Sequence, residues 1–265
     1  RRVLFRSNSN SPDGPGMIDL PWPTLLSVAA TLLVAYAVYG LSGFGANLVA
    51  MPVLAQLLPL RFAVPMLVVF DLCTGVALFA VHRQRVAWRE MLRLVPWLLV
   101  GMALGVTLLV QVSERWLLMA LGAFVFSYSI WSLLRRASPD PIDTRWAAPA
   151  GLVGGAVTAL YGTGGPIYTI YLARRLPDKT VLRATIAGLI LGNSLVRLLM
   201  FAGSGLYNQP GLLWLGLAML PVVLAGQWIG SQFHHRVSPH RAMQVVWVLL
   251  IAGGAALVWR GWHVS

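Results

Sequence analysis

Two charged side chains, Asp71 and Arg197, lie inside long apolar stretches, where a charge is costly and usually serves a function. Asn193 precedes Arg197 by four residues, so the two side chains share one face if this stretch is helical. A guanidinium and an amide donate hydrogen bonds to an anion, and a nearby carboxylate can position the guanidinium or carry a proton. We therefore predict that Arg197 and Asn193 bind an anion with the help of Asp71. A purely structural ion pair between Asp71 and Arg197 is the alternative.

Two glycine-rich segments supply the other candidate binding groups. One runs from Gly40 to Gly45 and the other from Gly162 to Pro166, and each interrupts an apolar stretch. A helix that starts at such a break points unpaired N–H groups and the positive end of its dipole into the space before it, which favours an anion. We predict that these helices begin near Ala46 and Pro166. The candidate residues at the breaks are Gly43, Gly45, Asn47, Thr163, Gly164, Gly165 and Pro166.

The composition indicates the surroundings in which these residues are positioned. Of the 265 residues, 58% are hydrophobic and only 11% are charged, whereas a soluble domain needs more charge to cover its surface. Apolar stretches of about 20 residues recur along the chain, each long enough to cross the roughly 30 Å hydrocarbon core of a bilayer. The sequence therefore predicts an all-α protein embedded in a lipid bilayer, which we expect to be the bacterial inner membrane.

The same composition argues against several other classes of protein. The net charge of +12 comes largely from arginines in short loops, without a basic face interleaved with exposed aromatics, so we predict no nucleic-acid partner. Cys73 is the single cysteine, which excludes an internal disulfide and a cysteine metal cluster. No motif typical of a hydrolase, a nucleotide-driven pump or a dinucleotide enzyme occurs. We predict no catalytic residue, no metal and no cofactor.

We interpret residues 1–16 as a non-native leader. The first seven residues resemble the conceptual translation of a sequencing-library adapter, and a polar stretch leads from them to Met17. The alternative is a signal peptide, but no small-residue cleavage site precedes a polar mature domain. The rest of the chain is predicted to form two transmembrane repeats, residues 17–136 and 137–265.

The repeat is visible when the two halves are aligned. The segment from Pro96 to Gly105 lies over the segment from Pro221 to Gly230 without a gap, and an earlier part of the alignment pairs Asp71 with Asn193. If the halves pack about a pseudo-two-fold axis, Asp71 and Arg197 approach each other near the middle of the membrane. Each half is predicted to open with two short helices around its break and to continue with three spans. The short helices are 24–39, 46–58, 147–161 and 167–173, and the spans are 62–81, 92–110, 116–134, 184–202, 211–231 and 242–259.

Four glycines in the aligned segments have a different predicted role. Gly101 and Gly105 in the first half correspond to Gly226 and Gly230 in the second, each pair at the spacing of a small-xxx-small motif. Such motifs let two helix backbones approach closely. We therefore expect these four glycines to permit packing rather than to interrupt helices.

The basic residues predict how often the chain crosses the membrane. If each opening pair of helices is a hairpin that returns to its starting side, thirteen basic residues face the cytoplasm, as the positive-inside rule expects. Only Arg61, Arg115 and Arg260 then face outwards. Four full crossings per half would divide the charges nearly evenly. We therefore predict re-entrant hairpins and an inverted second half, which is the usual architecture of a secondary transporter.

These features resemble the sulfite exporter TauE/SafE family of bacterial membrane permeases. The resemblance rests on the two glycine-rich breaks, followed by Pro52 and Pro166, on the repeat and on its aligned proline–glycine segments, and it covers residues 25–259. It implies transport of small anions such as sulfite, sulfonates or sulfoacetate, without a nucleotide. The first break has fewer glycines than is typical, and Arg174 stands where the first half has Pro52. These departures argue against equal roles for the two breaks.

Other functions stay open at the level of the sequence. An anion permease, coupled to a proton or to the membrane potential, is the leading hypothesis. A carrier of a cation or a neutral solute would instead use Asp71 as its principal ligand. A sensor or an assembly partner would transport nothing and would tolerate replacement of Arg197, and an intramembrane enzyme would need a nucleophile–base pair that is not evident. Association of several copies of the chain also stays open.

Overall fold

The computed structural model describes residues 20–42, 45–134, 141–233 and 239–263. Within these ranges every regular element is helical, which confirms the prediction of an all-α protein. The predicted leader, Gly43 and the predicted boundary between the two repeats lie outside the described residues. The first five α-helices are α1 (Trp22–Ser42), α2 (Ala46–Leu57), α3 (Leu60–His82), α4 (Trp88–Gln111) and α5 (Glu114–Leu134). The second five are α6 (Ala147–Tyr161), α7 (Gly165–Arg175), α8 (Lys179–Gly203), α9 (Leu212–Phe233) and α10 (Pro239–His263).

The long helices present an apolar surface. Among the described residues, α1, α4, α5, α8 and α9 are each long and apolar enough to cross a membrane, and α3 and α10 have similar lengths. Large side chains such as Trp97, Leu199 and Trp228 project outwards and are 44%, 73% and 64% exposed. Continuous apolar exposure of this kind is unfavourable in water but matches lipid. The outer surface of the bundle is therefore the part that contacts the bilayer.

Helix α1 is longer than the sequence predicted. It runs without interruption from Trp22 to Ser42, and most of this length is apolar enough to cross a membrane, so the prediction of a short first helix that ends at residue 39 was wrong. Gly40 does not end the helix, because its role is to let α1 approach α9. A Cβ at this position would collide with the carbonyl oxygen of Gln227 and would lie 2.8 Å from the amide nitrogen of Ser231. Gly40 is thus a packing residue in a continuous helix. The first break begins only after Ser42.

Helices of the first five pack mainly against helices of the second five. The principal pairs are α4 with α6, α1 with α9, α5 with α10 and α3 with α8. At the contact between α4 and α6, a Cβ on Gly101 would collide with the carbonyl oxygen of Leu152, and one on Gly105 would lie 2.6 Å from that of Ala156. Only glycine permits this approach of two helix backbones.

The contact between α1 and α9 is built in the same way. A Cβ on Gly226 would lie 2.5 Å from the carbonyl oxygen of Leu33, and one on Gly230 would collide with that of Ala37. The prediction that these glycines permit close helix packing is therefore confirmed at both contacts. Because each pair joins one helix from either half, neither half forms a separate bundle.

Polar contacts identify the helix ends that are neighbours at one end of the bundle. Arg61, at the start of α3, donates hydrogen bonds to the carbonyl oxygens of Leu109 and Val110, near the end of α4, at 3.0 and 2.6 Å. Arg260, near the end of α10, donates to the carbonyl oxygen of Ala55, near the end of α2, at 2.6 Å. Because α3 begins at Leu60, directly after α2 ends at Leu57, the end of the short helix α2 also lies close to the end of α4.

The other short helix points the opposite way. Arg175, the last residue of α7, donates to a carboxylate oxygen of Glu90, near the start of α4, at 2.9 Å. Helices α2 and α7 thus end at opposite ends of α4, and their first residues meet between those ends. The inversion of one half relative to the other within the membrane stays a prediction.

Candidate functional site

A small cavity lies between the two breaks. Its volume is about 40 Å³, which is enough for roughly three or four water molecules, since one water needs about 10–15 Å³ of cavity volume. Helices α1, α2, α3, α6, α7 and α8 contribute to its wall. Eight of the predicted site residues line it: Gly45, Asn47, Asp71, Thr163, Gly165, Pro166, Asn193 and Arg197.

Asp71 and Arg197 form an ion pair at this wall. Arg197 Nη1 lies 3.2 Å from Asp71 Oδ2, and the arginine is only 1% exposed. The second terminal nitrogen lies 3.5 Å from the carbonyl oxygen of Val64, and the guanidinium carbon lies 5.6 Å from the ring centre of Phe201. A buried ion pair needs further hydrogen bonds to compensate for the lost hydration of its charges. The structure thus brings together the two charges that the repeat alignment predicted to approach each other.

The carboxylate of Asp71 accepts hydrogen bonds at both oxygens. The hydroxyl of Tyr36, on α1, donates to Oδ1 at 3.2 Å, and Nδ2 of Asn47, on α2, donates to Oδ2 at 2.7 Å. The same Asn47 nitrogen lies 3.2 Å from the carbonyl oxygen of Gly162 in the second break and donates to it as well. Asn47 therefore links the first short helix, the buried carboxylate and the opposite break.

Two helix N-termini begin at the cavity. Helix α2 starts directly after Gly45, whose φ of 92° is left-handed, and α7 starts at Gly165 with Pro166 in its first turn. A left-handed φ favours glycine, and proline at a helix start has no N–H group to leave unpaired. The prediction that helices begin near Ala46 and Pro166 is confirmed. Both helices direct the positive ends of their dipoles towards the cavity.

Several buried hydrogen-bond donors at the cavity lack an acceptor. Within the described part of the chain, no hydrogen-bond partner reaches the hydroxyls of Tyr39 and Thr163, Nδ2 of Asn193 or Nε of Arg197. These residues are 4%, 2%, 6% and 1% exposed, so water covers almost none of their surface. Because a buried donor without an acceptor is destabilising, such groups are most simply explained by an acceptor from outside the chain.

Two of these donors have a hydroxyl nearby that does not satisfy them. Tyr39 lies close to Thr74, and Asn193 lies close to Tyr168, in each case without a hydrogen bond of standard geometry. The hydroxyl of Thr74 instead donates to the carbonyl oxygen of Phe70 at 2.8 Å. The site therefore contains more unused donors than unused acceptors. That balance suits an anion.

Not all of the predicted residues lie on the cavity wall. Gly164 lies behind it, where a Cβ would collide with the carbonyl oxygen of Gly154 and the hydroxyl of Thr158. Gly43 lies outside the described residues. In the described ranges, no group of three or more His, Cys, Asp or Glu side chains is placed to hold a metal ion.

Three tyrosines at the site were missed by the sequence analysis. Tyr36 binds the carboxylate of Asp71, while Tyr39 and Tyr168 line the cavity. Tyr36 and Tyr39 precede the first break by one or two helical turns, and Tyr168 follows the second break by one turn. This position relative to the breaks was the available signal, but a tyrosine in an apolar helix is more commonly a packing residue.

Comparison with known protein families decides the class of the chain. Residues 28–257 match the family model described as "Sulfite exporter TauE/SafE". The chain belongs to this family. The resemblance inferred from the breaks and the repeat is thereby confirmed, and the chain is a multi-pass membrane transporter.

One curated relative extends the comparison. The chain is 28% identical, over 188 residues, to a protein of Comamonas testosteroni described as "Probable inner membrane transporter protein TsaS". The matched region covers 68% of this chain and 76% of the relative. No solved structure matches the chain.

A second buried carboxylate in this transporter lies away from the cavity. Glu90 accepts hydrogen bonds from Arg93 at 2.6 Å, from Arg175 at 2.9 Å and from the hydroxyl of Tyr171 at 2.9 Å. Glu90 lies on α4, whereas Arg175 and Tyr171 lie on α7. The cluster therefore fastens the end of α7 to α4. It was not singled out in the sequence, because a glutamate next to arginines at a membrane edge is usually solvated.

The helix that carries Asn193 and Arg197 is fixed at its start by Asp178. The backbone N–H groups of Thr180 and Val181 donate to its carboxylate at 2.7 and 3.3 Å. These hydrogen bonds favour the charged form, so they lower the pKa of the Asp178 carboxyl below its ordinary value. The cap stabilises the first turn of α8.

Proposed function

We propose that this transporter carries small anions, such as sulfite, sulfonates or related organic acids, across the bacterial inner membrane. The observation that carries the proposal is the set of unpartnered buried donors around Arg197, at a cavity where two helices begin. Arg197 and Asn193 contact the anion directly, and Thr163 adds a hydroxyl. Asp71 positions Arg197 or carries a proton. The name of the relative from Comamonas testosteroni supports the inner membrane as the location.

The helix N-termini add to the attraction for an anion. Gly45 and Asn47 at the start of α2, and Gly165 and Pro166 at the start of α7, place the positive ends of two helix dipoles at the cavity. Gly164 supports this arrangement from behind. In a site without bulk water, fixed dipoles and donors of this kind stabilise a negative charge more strongly than they would in solution.

A cation carrier is less well supported. Both oxygens of Asp71 already accept hydrogen bonds, so this carboxylate has little capacity left for a cation. The unpartnered buried groups at the cavity that can accept, among the described residues, are the amide oxygen of Asn47 and the neutral hydroxyls of Tyr39 and Thr163, and none of these carries a negative charge. Family membership also favours a transporter over a sensor or an assembly partner.

The size of the cavity suggests how transport proceeds. At about 40 Å³ it has less room than a typical ligand pocket of roughly 300–1,000 Å³. We therefore interpret the structure as a closed form of the transporter, with α2 and α7 re-entrant from opposite sides. Movement of either short helix would open the cavity to one side of the membrane, as expected for alternating access. Whether several copies associate stays a prediction.

The test is anion flux into proteoliposomes, with radiolabelled sulfite and sulfoacetate and with empty vesicles as the background. Arg197→Ala should lower saturable uptake by about 100-fold, because loss of an interaction between buried charges removes about 2–5 kcal/mol. Arg197→Lys should retain part of the flux, since lysine keeps the charge but lacks the planar fork.

Arg260→Ala is the matched control. It removes a partly buried hydrogen bond from a guanidinium to the carbonyl oxygen of Ala55, away from the cavity, so it should lower thermal stability but leave flux near the wild-type value. Unchanged transport in Arg197→Ala would rule out the contact role. Absence of saturable flux of any tested anion, with folded wild-type protein, would overturn the proposed function.

A further inference from the structure

The carboxylate of Asp71 binds the same arginine that the proposed function assigns to the anionic substrate. Its oxygens accept hydrogen bonds from Tyr36, Asn47 and Arg197, which lie on three different helices. A sulfonate or sulfite group presents the same kind of charged oxygen atoms. Asp71 is therefore an internal anion that competes with the substrate for the guanidinium of Arg197.

The contact between Asp71 and Arg197 is also longer, and uses fewer nitrogens, than a guanidinium–carboxylate pair can achieve. A single nitrogen faces the carboxylate at 3.2 Å, whereas charge-assisted hydrogen bonds of this type are usually about 2.7–2.9 Å and are often bidentate. The Nε donor of the same guanidinium has no partner in the described residues. The arginine thus has hydrogen-bonding capacity that Asp71 does not use, and an oxyanion can use it.

Charge balance determines what happens when the substrate binds. In the structure, the negative charge of Asp71 cancels the positive charge of Arg197, so the buried site is neutral. A monovalent anion added to this site would leave one uncompensated negative charge at the centre of the bundle and would be repelled by the carboxylate. Buried uncompensated charges are strongly unfavourable. Protonation of Asp71 removes both the excess negative charge and the repulsion between the carboxylate and the anion.

We infer that Asp71 couples transport to protons, such that one proton binds its carboxylate each time one monovalent anion binds Arg197. This inference rests on the proposed function. The proton forms an O–H bond at the Asp71 carboxylate, the ion pair with Arg197 opens, and the anion pairs with the freed guanidinium. On release the anion leaves, the proton returns to water on the same side, and the ion pair forms again. The site is neutral in both states, so the cycle is electroneutral for a monovalent anion.

The neighbouring groups do not replace Asp71 in this role. The titratable or charged groups that face it, among the described residues, are Tyr36 and Tyr39 on α1, Tyr168 on α7, Arg197 on α8 and Tyr207 after α8. Helix α2 contributes the neutral amide of Asn47. Tyrosine and arginine ordinarily hold their protons throughout the range from pH 5 to 8. Among these groups, the carboxyl group of Asp71 is the one that can gain and lose a proton within a transport cycle.

The experiment uses the full chain in proteoliposomes and radiolabelled methanesulfonate, which stays monovalent between pH 5.5 and 8 and does not leak as a neutral acid. With the membrane potential clamped at zero, an acidic exterior should drive accumulation by up to about tenfold per pH unit, as one proton per anion requires. With no pH gradient, an imposed membrane potential should drive no accumulation. These two measurements on the wild-type protein need no variant.

Variants then assign the coupling to Asp71. Asp71→Asn, which resembles the protonated carboxyl, should still exchange labelled for unlabelled anion but should lose accumulation driven by the pH gradient. Asp71→Glu should restore that accumulation, at least in part. Glu90→Gln is the matched control, since it alters the other buried carboxylate with arginine and tyrosine partners and should retain the tenfold response.

The outcomes separate the inference from the proposed function. Saturable methanesulfonate flux that follows the membrane potential but not the pH gradient would overturn the coupling and leave an anion permease. Retention of pH-driven accumulation in a folded Asp71→Asn protein would also overturn it. Saturable sulfite flux without methanesulfonate flux would contradict the stated class of monovalent anion. No flux of any anion would remove the proposed function and this inference together.

Discussion

The two breaks have equivalent places in the chain but different surroundings. At the first break, a Cβ on Gly45 would meet nothing within 4 Å. At the second break, a Cβ on Gly162 would lie 2.6 Å from Nδ2 of Asn47 and 3.3 Å from a terminal nitrogen of Arg197. Both glycines have a left-handed φ, so the backbone requirement is shared. The difference indicates that a side chain at Gly162 would intrude on the groups of the site, whereas at Gly45 only the backbone conformation requires glycine.

The helices that flank the first break also differ from those that flank the second. Helix α1 has the length of a full span, while α6 has only 15 residues and ends directly at Gly162. Helix α7 begins with Pro166 in its first turn, whereas the proline of α2, Pro52, lies inside the helix. The unequal roles suggested by the sequence departures therefore have a structural counterpart. Three substitutions sharpen the comparison, in order of decreasing effect.

The largest effect is expected from alanine at the second break. Gly162→Ala should destabilise the protein by about 2–5 kcal/mol, because a left-handed alanine costs about 1–2 kcal/mol and overpacking costs about 1–3 kcal/mol more. Gly45→Ala should cost only the first of these amounts. Thermal unfolding in detergent measures stability, and anion flux should fall at least about tenfold in the Gly162 variant alone. Similar losses in both variants would show that the two breaks are equivalent.

A smaller effect is expected from the hydroxyl of the second break. Thr163→Val removes an unpartnered donor that lines the cavity, so KM for the anion should rise about tenfold while stability stays nearly unchanged. Thr169→Val is a matched control, because its buried hydroxyl is also unpartnered in the described residues but does not line the cavity. An equal change of KM in both variants would rule out a specific role for Thr163.

The smallest effect concerns the start of the helices that carry the buried charges. Asp178 caps α8, whereas α3 begins after Pro59 without a side-chain cap. Because the pKa of Asp178 is lowered in the folded protein, its cap stabilises above the ordinary aspartate pKa, near 3.8, and this stabilisation is lost as the pH falls through the folded value. Asp178→Ala should therefore lower Tm slightly at pH 7 and by less at pH 3. A difference in Tm that stays constant with pH would contradict this account.

The sequence predicted the parts of the site that follow from periodicity and alignment. The approach of Asp71 to Arg197 followed from the repeat, because Asp71 aligns with Asn193, one helical turn before Arg197, and aligned positions approach each other about a pseudo-two-fold axis. The end of α6 at Tyr161 followed from Gly162, and the start of α7 followed from Pro166, since both residue types have strong positional preferences at helix ends.

Other features could not be predicted, because one residue type serves two purposes. Gly40 has the same appearance in sequence whether it interrupts a helix or admits the backbone of α9, and only the packing distinguishes the two. Tyr36 and Tyr39 look like ordinary apolar-helix residues until the carboxylate of Asp71 is placed beside them. Glu90 depends on Arg175, 85 residues later, which no local pattern indicates.

The exchange of helix partners between the halves has a consequence for synthesis of the protein. Helix α1 ends at Ser42, but its partner α9 begins only at Leu212, which the ribosome reaches roughly ten to thirty seconds later at about 5–20 residues per second. For most of this interval, while residues 72–196 are being added, Asp71 is already in the growing chain and Arg197 has not yet been made. The nascent first half therefore holds an unpaired acidic residue in or near the lipid. The first half therefore reaches its final packing in the membrane only after the second half has been synthesised.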